Sequence, residues 1–361
     1  MQMSMQDYNN TELLELPHNI MTKYSFLDDY SEGCHPAILE ALASTNLVQQ
    51  TAYGNDEYCE LAKSRLQSHL ADKQTPVFFV AGGTLANIII TSSALRSHEA
   101  VISAHSGHMV VRETGAIEAV GHKIITVPSD NGKLTSDDIS NALENNAHYP
   151  HMAKPRLVYI SNATELGTVY TKAELIALSE ICRANGLLLM MDGARLGTAL
   201  TSDISTLTLQ DIAELTDIFW IGGTKAGALI GEAIVIPNAS LANDFSFHIK
   251  QRGALLAKGR LLGIQFAQLF KDDLFFRSSQ FANRMARKLS KGIVENGHNL
   301  ASITESNQIF PILPNPLIKK LQENFAFYQW QKLNDNHSVI RLVTSWATDE
   351  QRVDEFVEKI S

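Results

Sequence analysis

Lys225 stands just past the apolar run Asp217-Ile-Phe-Trp-Ile221, inside Gly222-Gly223-Thr224-Lys225-Ala226-Gly227, and Asp192 ends an earlier run, Leu187-Leu-Leu-Met-Met191. An amine at the end of a buried strand loses solvation, which lowers its pKa and frees it to attack a carbonyl. Its glycine neighbours carry no side chains to hold a ligand off. A carboxylate ending another strand can meet the ring nitrogen of pyridoxal phosphate and keep it protonated. Such a cofactor also needs an anion site, and Gly82-Gly83-Thr84 offers one between the strand-like Val77-Phe-Phe-Val80 and a helix-like segment. Backbone N–H groups, the helix dipole and the Thr84 hydroxyl favour phosphate there. The turn is not GxGxxG and alone is as readily structural; Lys225 and Asp192 give it meaning.

Further charged residues cluster around these. Asp192-Gly-Ala-Arg195 places a guanidinium suited to a bidentate grip on a substrate carboxylate, the alternative being an ion pair between Asp192 and Arg195. Arg341 interrupts the apolar stretch Val339–Val343, where a charge needs either a salt-bridge partner or a cleft. His105 and His108 lie on either side of Gly107, with no third metal ligand evident. Either is a hydrogen-bonded structural residue, or a flat imidazole able to stack on a pyridine ring or shuttle protons. Glu113, in a helix-like segment from His108 to Ala119, and Glu165, after the strand-like Leu157–Ile160, read as solvated carboxylates or proton acceptors. Glu165, at a strand's carboxyl end, is the stronger candidate.

The elements that would carry these residues alternate along the chain. Strand-like runs at Ala100–Ile102, Lys123–Val127, Leu157–Ile160, Leu187–Met191 and Ile218–Ile221 are separated by helical stretches such as Ser136–Asn145 and Lys172–Asn185. Uninterrupted apolar runs indicate strands covered on both faces, hence an α/β fold with a mainly parallel sheet and ligands at the strands' carboxyl ends. Beyond Pro237, Leu255–Phe270 and Ser279–Asn296 are helical in pattern, and a late strand follows at Val339–Val343. The expected division is an N-terminal segment, 1–27, a large domain, 28–249, and a smaller C-terminal α+β domain, 250–361. Pro311, Pro314 and Pro316 are expected to mark irregular connections.

With 361 residues, 45% of them apolar, the chain can bury a sizeable core, and 39 acidic against 30 scattered basic residues give a net charge of -9. That balance disfavours nucleic acid and anionic lipid and favours small-molecule chemistry. Three isolated cysteines without CxxC spacing point to a reducing compartment, read as the cytoplasm, with no metal site. Met1–Asn19 is polar and no apolar run reaches membrane-spanning length, so neither export nor insertion is expected.

Six blocks in order, Tyr53-Gly54-Asn55-Asp56, Gly82–Asn87, His108–Ala116, Asp192-Gly-Ala-Arg195, Gly223-Thr-Lys225 and Arg341-Leu-Val-Thr344, resemble those of the low-specificity threonine aldolases. That family belongs to the β-eliminating lyase group, and the likeness runs from about Asp28 to Thr344. It implies a pyridoxal-phosphate enzyme of aspartate-aminotransferase-like fold (fold type I), a homodimer or homotetramer with active sites at the dimer interface. Lys225 would be joined to the cofactor, Asp192 would face its ring nitrogen and His108 would stack on the ring. Gly83, Thr84 and Thr224 would lie at the cofactor, and Arg195 and Arg341 would take the substrate carboxylate with Tyr53 at the substrate site. Asp28 stands where many members have a serine, Glu165 where many have a histidine. Lys258 falls where the partner subunit's phosphate-binding arginine is expected, with Arg260 close by.

The reaction implied is cleavage of an L-β-hydroxy-α-amino acid such as L-threonine or L-allo-threonine to glycine and an aldehyde. Glu165 or His108 would take the hydroxyl proton. The alternatives are β-elimination, racemisation or transamination on the same cofactor, or a protein that binds without turnover. A nicotinamide dehydrogenase is disfavoured by the missing GxGxxG turn.

Overall fold

The computed structural model describes residues 23–361; Met1–Asn19, read above for export signals, lies outside them, as does most of the segment 1–27. Seven strands form the central sheet: β1 (Val77–Val80), β2 (Glu99–Ala104), β3 (Ile124–Val127), β4 (Lys154–Ser161), β5 (Leu188–Asp192), β6 (Ile218–Gly222) and β7 (Glu232–Val235). Their order across the sheet is β1-β7-β6-β5-β4-β2-β3. The pairs from β6 through β3 are parallel, whereas β7 runs antiparallel to both its neighbours. No strand is assigned at β7 from the sequence, although Ala233-Ile-Val-Ile236 is an apolar run; only a short loop parts it from β6, and that short return enforces the reversed direction.

Alternating residues feed two cores, one on each face. Val158, Ile160, Leu189, Met191, Phe219 and Ile221 join one cluster, while Leu157, Tyr159, Leu188, Met190, Ile218 and Trp220 join the other. Both faces being apolar, each strand reads as a continuous hydrophobic run, as the parallel-sheet expectation requires. Three covering helices, Ser136–Asn145, Lys172–Ala184 and Leu209–Leu215, start with capping boxes at Thr135/Asp138, Thr171/Glu174 and Thr208/Asp211. No helix among the described residues is long and apolar enough to cross a membrane.

Two expectations need correction. The helix-like stretch from His108 to Ala119 is two short helices, His108–Val111 and Ala116–Ala119, because Thr114 and Gly115 take positive φ values of 55° and 72°. The proline-rich stretch is regular: Pro311 and Pro314 bound a strand, and Pro316 lies in the first turn of the helix Asn315–Leu321, where its missing N–H has no intrahelical partner to lose.

A second, antiparallel sheet comprises β8 (Asn299–Leu300), β9 (Gln308–Ile309), β10 (Pro311–Pro314), β11 (Tyr328–Lys332) and β12 (His337–Val343). It packs with the long helix Leu274–Glu295 and the helix Glu350–Lys359 around Met285, Leu289, Leu313, Leu342 and Phe356. Phe26 is buried in this same cluster, and Tyr24–Ser25 pair in parallel with Phe325–Ala326. The first described residues therefore belong to the C-terminal sheet's core and not to the larger one.

Candidate active site

Neighbouring strands β6, β5, β4 and β2 end side by side, so the residues that follow them converge. β5 ends in Asp192, and β6 passes through Gly223 into the turn Thr224–Ala226 that carries Lys225. β4 leads to Glu165, and β2 leads to the short helix that His108 opens. The glycines flanking the two key residues serve backbone contact. A Cβ on Gly193 would come within 1.9 Å of the Trp220 carbonyl oxygen, and one on Gly222 within 2.4 Å of that of Ala194. Only glycine lets the Asp192 and Lys225 loops touch, and the Gly222 N–H donates to the Gly193 carbonyl at 2.9 Å.

Two cavities meet at this point. A slot of about 330 Å³ is lined by Gly82, Gly83, Thr84, His108, Asp192, Trp220, Thr224, Lys225 and Glu232, among others. A cleft of about 680 Å³ opens beside it, with Asp28, His108, Glu165, Arg195, Lys225 and Arg341 in its walls. Tyr30, His108 and Lys225 border both. Burial lowers the Lys225 pKa, and the Arg195 charge lowers it further, against the opposing pull of Asp29, Asp192 and Glu232. The amine is thereby biased toward the uncharged, nucleophilic form.

A closed circuit of hydrogen bonds holds the floor. His108 Nδ1 meets Glu113 Oε1 at 2.7 Å, and Asn87 Nδ2 donates to that oxygen at 2.7 Å and to Asp192 Oδ2 at 3.3 Å. The Tyr159 hydroxyl donates to Asp192 Oδ2 at 2.6 Å, Ser161 donates to Glu165 Oε1 at 2.8 Å, and the His108 N–H returns to Glu165 Oε1 at 3.1 Å. Asp192 Oδ1 accepts from Ala194 N–H at 3.0 Å. Glu113 is thus neither helical nor solvated; it is buried and orients the His108 ring. His108, Glu113 and Asp192 lie close enough to resemble a metal set, with the Asn87 amide donating to both acids between them. His105 is not part of that group.

Glu165 is likewise not a solvated carboxylate. Burial and the Asp192 charge raise its pKa, against bonds that favour the ionised form, which makes it a better proton acceptor than a free carboxylate. Its Oε1 is engaged by Ser161 and His108, leaving Oε2 without a protein partner among the described residues.

Arg195 does not pair with Asp192. Its Nε donates to Asp29 Oδ2 at 2.7 Å and its second terminal nitrogen to Oδ1 at 3.0 Å, while Asn307 Nδ2 donates to Oδ2 at 2.9 Å. Burial pushes the Asp29 carboxyl up, but Arg195, Lys225 and these bonds outweigh it and hold it below the usual carboxylate range. Arg341 has no carboxylate partner among the described residues. It donates to Gln308 Oε1 at 2.9 and 3.2 Å and lies 5.5 Å from the Trp330 ring centroid. Burial and the Arg195 charge lower its pKa to about 10, against the pull of Asp29 and Asp28, so it stays cationic at neutral pH and lines the cleft without an ion-pair partner among the described residues. Asp28 lines the cleft beside Tyr30, whose hydroxyl is pushed up to about 12 by burial and by Asp28.

Tyr53 and Lys258 are not brought to Lys225: neither lines the slot or the cleft. They are neighbours elsewhere on the surface, where the Tyr53 N–H donates to the Ala257 carbonyl at 3.0 Å. Arg260 is committed within its own chain to the carbonyls of Thr45 and Val48. Thr224 reaches the slot, but its hydroxyl already donates to Glu232 Oε1 at 3.1 Å and accepts from the Gly231 N–H.

Residues 26–315 match the model of the Beta-eliminating lyase family. This chain belongs to that family. It is 35% identical over 340 residues to the low specificity L-threonine aldolase of Pseudomonas aeruginosa, covering 92% of this chain and 95% of that protein. A threonine aldolase structure from Leishmania major superposes with a TM-score of 0.92 at 49% identity, covering 93% of this chain and 98% of the other. The aspartate aminotransferase of Thermus thermophilus, 13% identical with a TM-score of 0.66 and coverage of 99% and 96%, shares the fold alone. The protein is a pyridoxal-phosphate-dependent lyase of fold type I.

The slot suits that cofactor: it has a free lysine amine, a carboxylate held by three donors, a flat imidazole and a glycine-rich helix start. A Cβ on Gly82 would meet no protein atom within 4 Å, which leaves the mouth of that helix open to a ligand. Several residues of the site are missed by sequence reasoning. Asn87 lies inside a recognised block without an assigned role, and Asp29 is indistinguishable from its neighbour Asp28. Tyr159, Trp220 and Glu232 are embedded in apolar runs, where the only signal is a polar group in a strand that has to find a partner.

Proposed function

We propose that this protein cleaves L-threonine, L-allo-threonine or a related L-β-hydroxy-α-amino acid to glycine and an aldehyde. The observation that carries this reading is the junction of two cavities at Lys225 and His108, with Asp192 and Thr84 in the slot and Glu165, Arg195 and Arg341 in the cleft. Pyridoxal phosphate, held by Lys225, Asp192, His108, Gly83 and Thr84, supplies a sink for the electron pair left when the Cα–Cβ bond breaks. Tyr159, Asn87 and the Ala194 N–H all donate to Asp192 and hold in place the carboxylate that would face the ring nitrogen. Arg341, in the same cleft as Arg195, holds the substrate carboxylate and so orients the bonds at Cα. Glu165 accepts the β-hydroxyl proton through its unpartnered Oε2, and Ser161 and His108 hold the other oxygen still.

A homodimer or homotetramer accords with Tyr53 and Lys258 lying away from their own chain's slot, and they would serve the slot of a partner subunit. Residence in the cytoplasm accords with three free thiols at Cys34, Cys59 and Cys182. The test is product analysis of the purified holoenzyme on threonine, allo-threonine and phenylserine. Equimolar glycine and aldehyde are expected, and Lys225→Ala should lose both turnover and the bound cofactor's visible absorbance. Pyruvate with ammonia, a keto acid, or an active Lys225→Ala protein would overturn the reading.

A further inference from the structure

At about 680 Å³ the cleft falls among cavities that hold drug-sized ligands, well beyond the demands of a four-carbon amino acid. One end is occupied by Asp28, Tyr30, Arg195 and Arg341. An adjoining wall is built from the segment His105–Arg112 and from Tyr328–Trp330 of β11, where Tyr328 pairs in register with Arg341. Trp330 sits at a β-bulge between Gln329 and Gln331, an irregularity that re-aims a side chain. Its ring centroid lies 5.7 Å from the Arg112 guanidinium carbon and 5.5 Å from that of Arg341.

Among the described residues the Arg112 guanidinium meets no carboxylate and no hydrogen-bond acceptor; the Trp330 ring is its contact. On the same wall His105 Nδ1 accepts the Ser129 N–H at 3.2 Å, so the neutral ring carries its proton on Nε2 and offers a donor. This wall therefore presents a donor and a cation, both exposed, whose side chains have no protein acceptor among the described residues. Asp28, on the α-carboxylate side with Tyr30 and Arg341, repels a second anion there, and Glu165 stands at the reacting centre.

We propose that Arg112, with His105 and Trp330, forms a subsite for a carboxylate on the substrate side chain, and that β-hydroxy-α-amino diacids are preferred over threonine. The proposal rests on the aldolase reading above. In such a substrate the Cα–Cβ bond breaks, the β-hydroxyl loses its proton and becomes the aldehyde oxygen, and Cα takes up a proton. Glycine and an oxo acid result, with no oxidant or reductant. An anion bound by an otherwise unpaired guanidinium gains a charge-assisted hydrogen bond, equivalent to about 10- to 100-fold in kcat/KM.

The test measures glycine release by the holoenzyme from L-threonine, both diastereomers of 3-hydroxyaspartate, and 3-hydroxyglutamate. At least one diacid should exceed threonine in kcat/KM by about tenfold. Arg112→Gln should lower the diacid-to-threonine ratio by about 10- to 100-fold, and Arg112→Lys should restore part of it. Raised ionic strength should weaken the diacid preference. If threonine is cleaved while the diacids fall at or below it, or if Arg112→Gln leaves the ratio unchanged, the subsite is refuted and the aldolase reading stands. If no substrate yields glycine, the aldolase reading is what fails.

Discussion

Asp29→Asn replaces a carboxylate by a group of nearly the same shape and isolates one interaction. Asp29 is 1% exposed, the Arg195 side chain is 10% exposed, and the two are joined by hydrogen bonds of 2.7 and 3.0 Å. The amide removes the compensating charge and turns one acceptor into a donor, which faces Arg195 in either orientation and Asn307 as well in one of them. Breaking a buried pair from one side typically costs about 3–5 kcal/mol, because the remaining charge is left desolvated. Equilibrium urea unfolding of the cofactor-free protein at pH 7 should show that loss. The deficit should persist as the pH is lowered toward about 4: the folded Asp29 pKa lies below the unfolded value, so its stabilisation is present above the unfolded pKa and is lost only as pH falls through the folded one. Replacing both partners, Asp29→Leu with Arg195→Met, should recover most of the stability. Arg195 is proposed to support substrate binding, so KM for threonine should rise in Asp29→Asn more than kcat falls. A variant within about 1 kcal/mol of the parent would show that Arg195 is compensated by something other than Asp29, and the reasoning would fail.

Three further outcomes follow from individual contacts. Tyr159→Phe deletes the 2.6 Å bond to the Asp192 carboxylate, a loss of about 1.5–3 kcal/mol that should lower kcat about 10- to 100-fold with the cofactor still bound; unchanged kcat would refute the role given to Tyr159. Glu232 is raised to about 8, chiefly by burial and against the Lys225 charge, so its contribution to stability is complete below about pH 4.5 and is lost as pH rises through about 8. Glu232→Gln should flatten the decline in stability between those values, and parallel profiles for parent and variant would contradict it. Gly83→Ala drives a Cβ to 2.6 Å from the Trp220 ring, whose Nε1 is pinned to Asn87 Oδ1 at 3.0 Å, and should cost about 1–3 kcal/mol in unfolding measurements on the cofactor-free protein. Gly82→Ala should be close to neutral there; equal effects at the two positions would overturn the steric argument.

The strand ends that carry Lys225 and Asp192, the glycine-rich start of the helix Gly83–Ala94 and the parallel character of the sheet are all legible in the chain. Each depends on short-range signals: an apolar run long enough for a strand, a glycine where it stops, and the side-chain period of two that buries both faces. The antiparallel β7 carries the apolar run Ala233-Ile-Val-Ile236, but nothing in that run tells in which direction the strand lies against β6. The bulged β11 leaves no strand signal, as its residues are largely polar.

Which charges meet was decided only by the tertiary structure. The sequence alone singles out Arg195 as an anion binder but cannot name Asp29, 166 residues away, over Asp28 or Asp192 as its partner. Glu113 and Glu165 read as either solvated carboxylates or proton acceptors until the sheet sets both beside His108. Residue type determines what an ionisable group can do, and this much the sequence determined for Lys225, Asp192, Arg195 and Arg341. Whether that group is desolvated, and which opposite charge lies within hydrogen-bond reach, depends on segments that come together only when both faces of the sheet are covered.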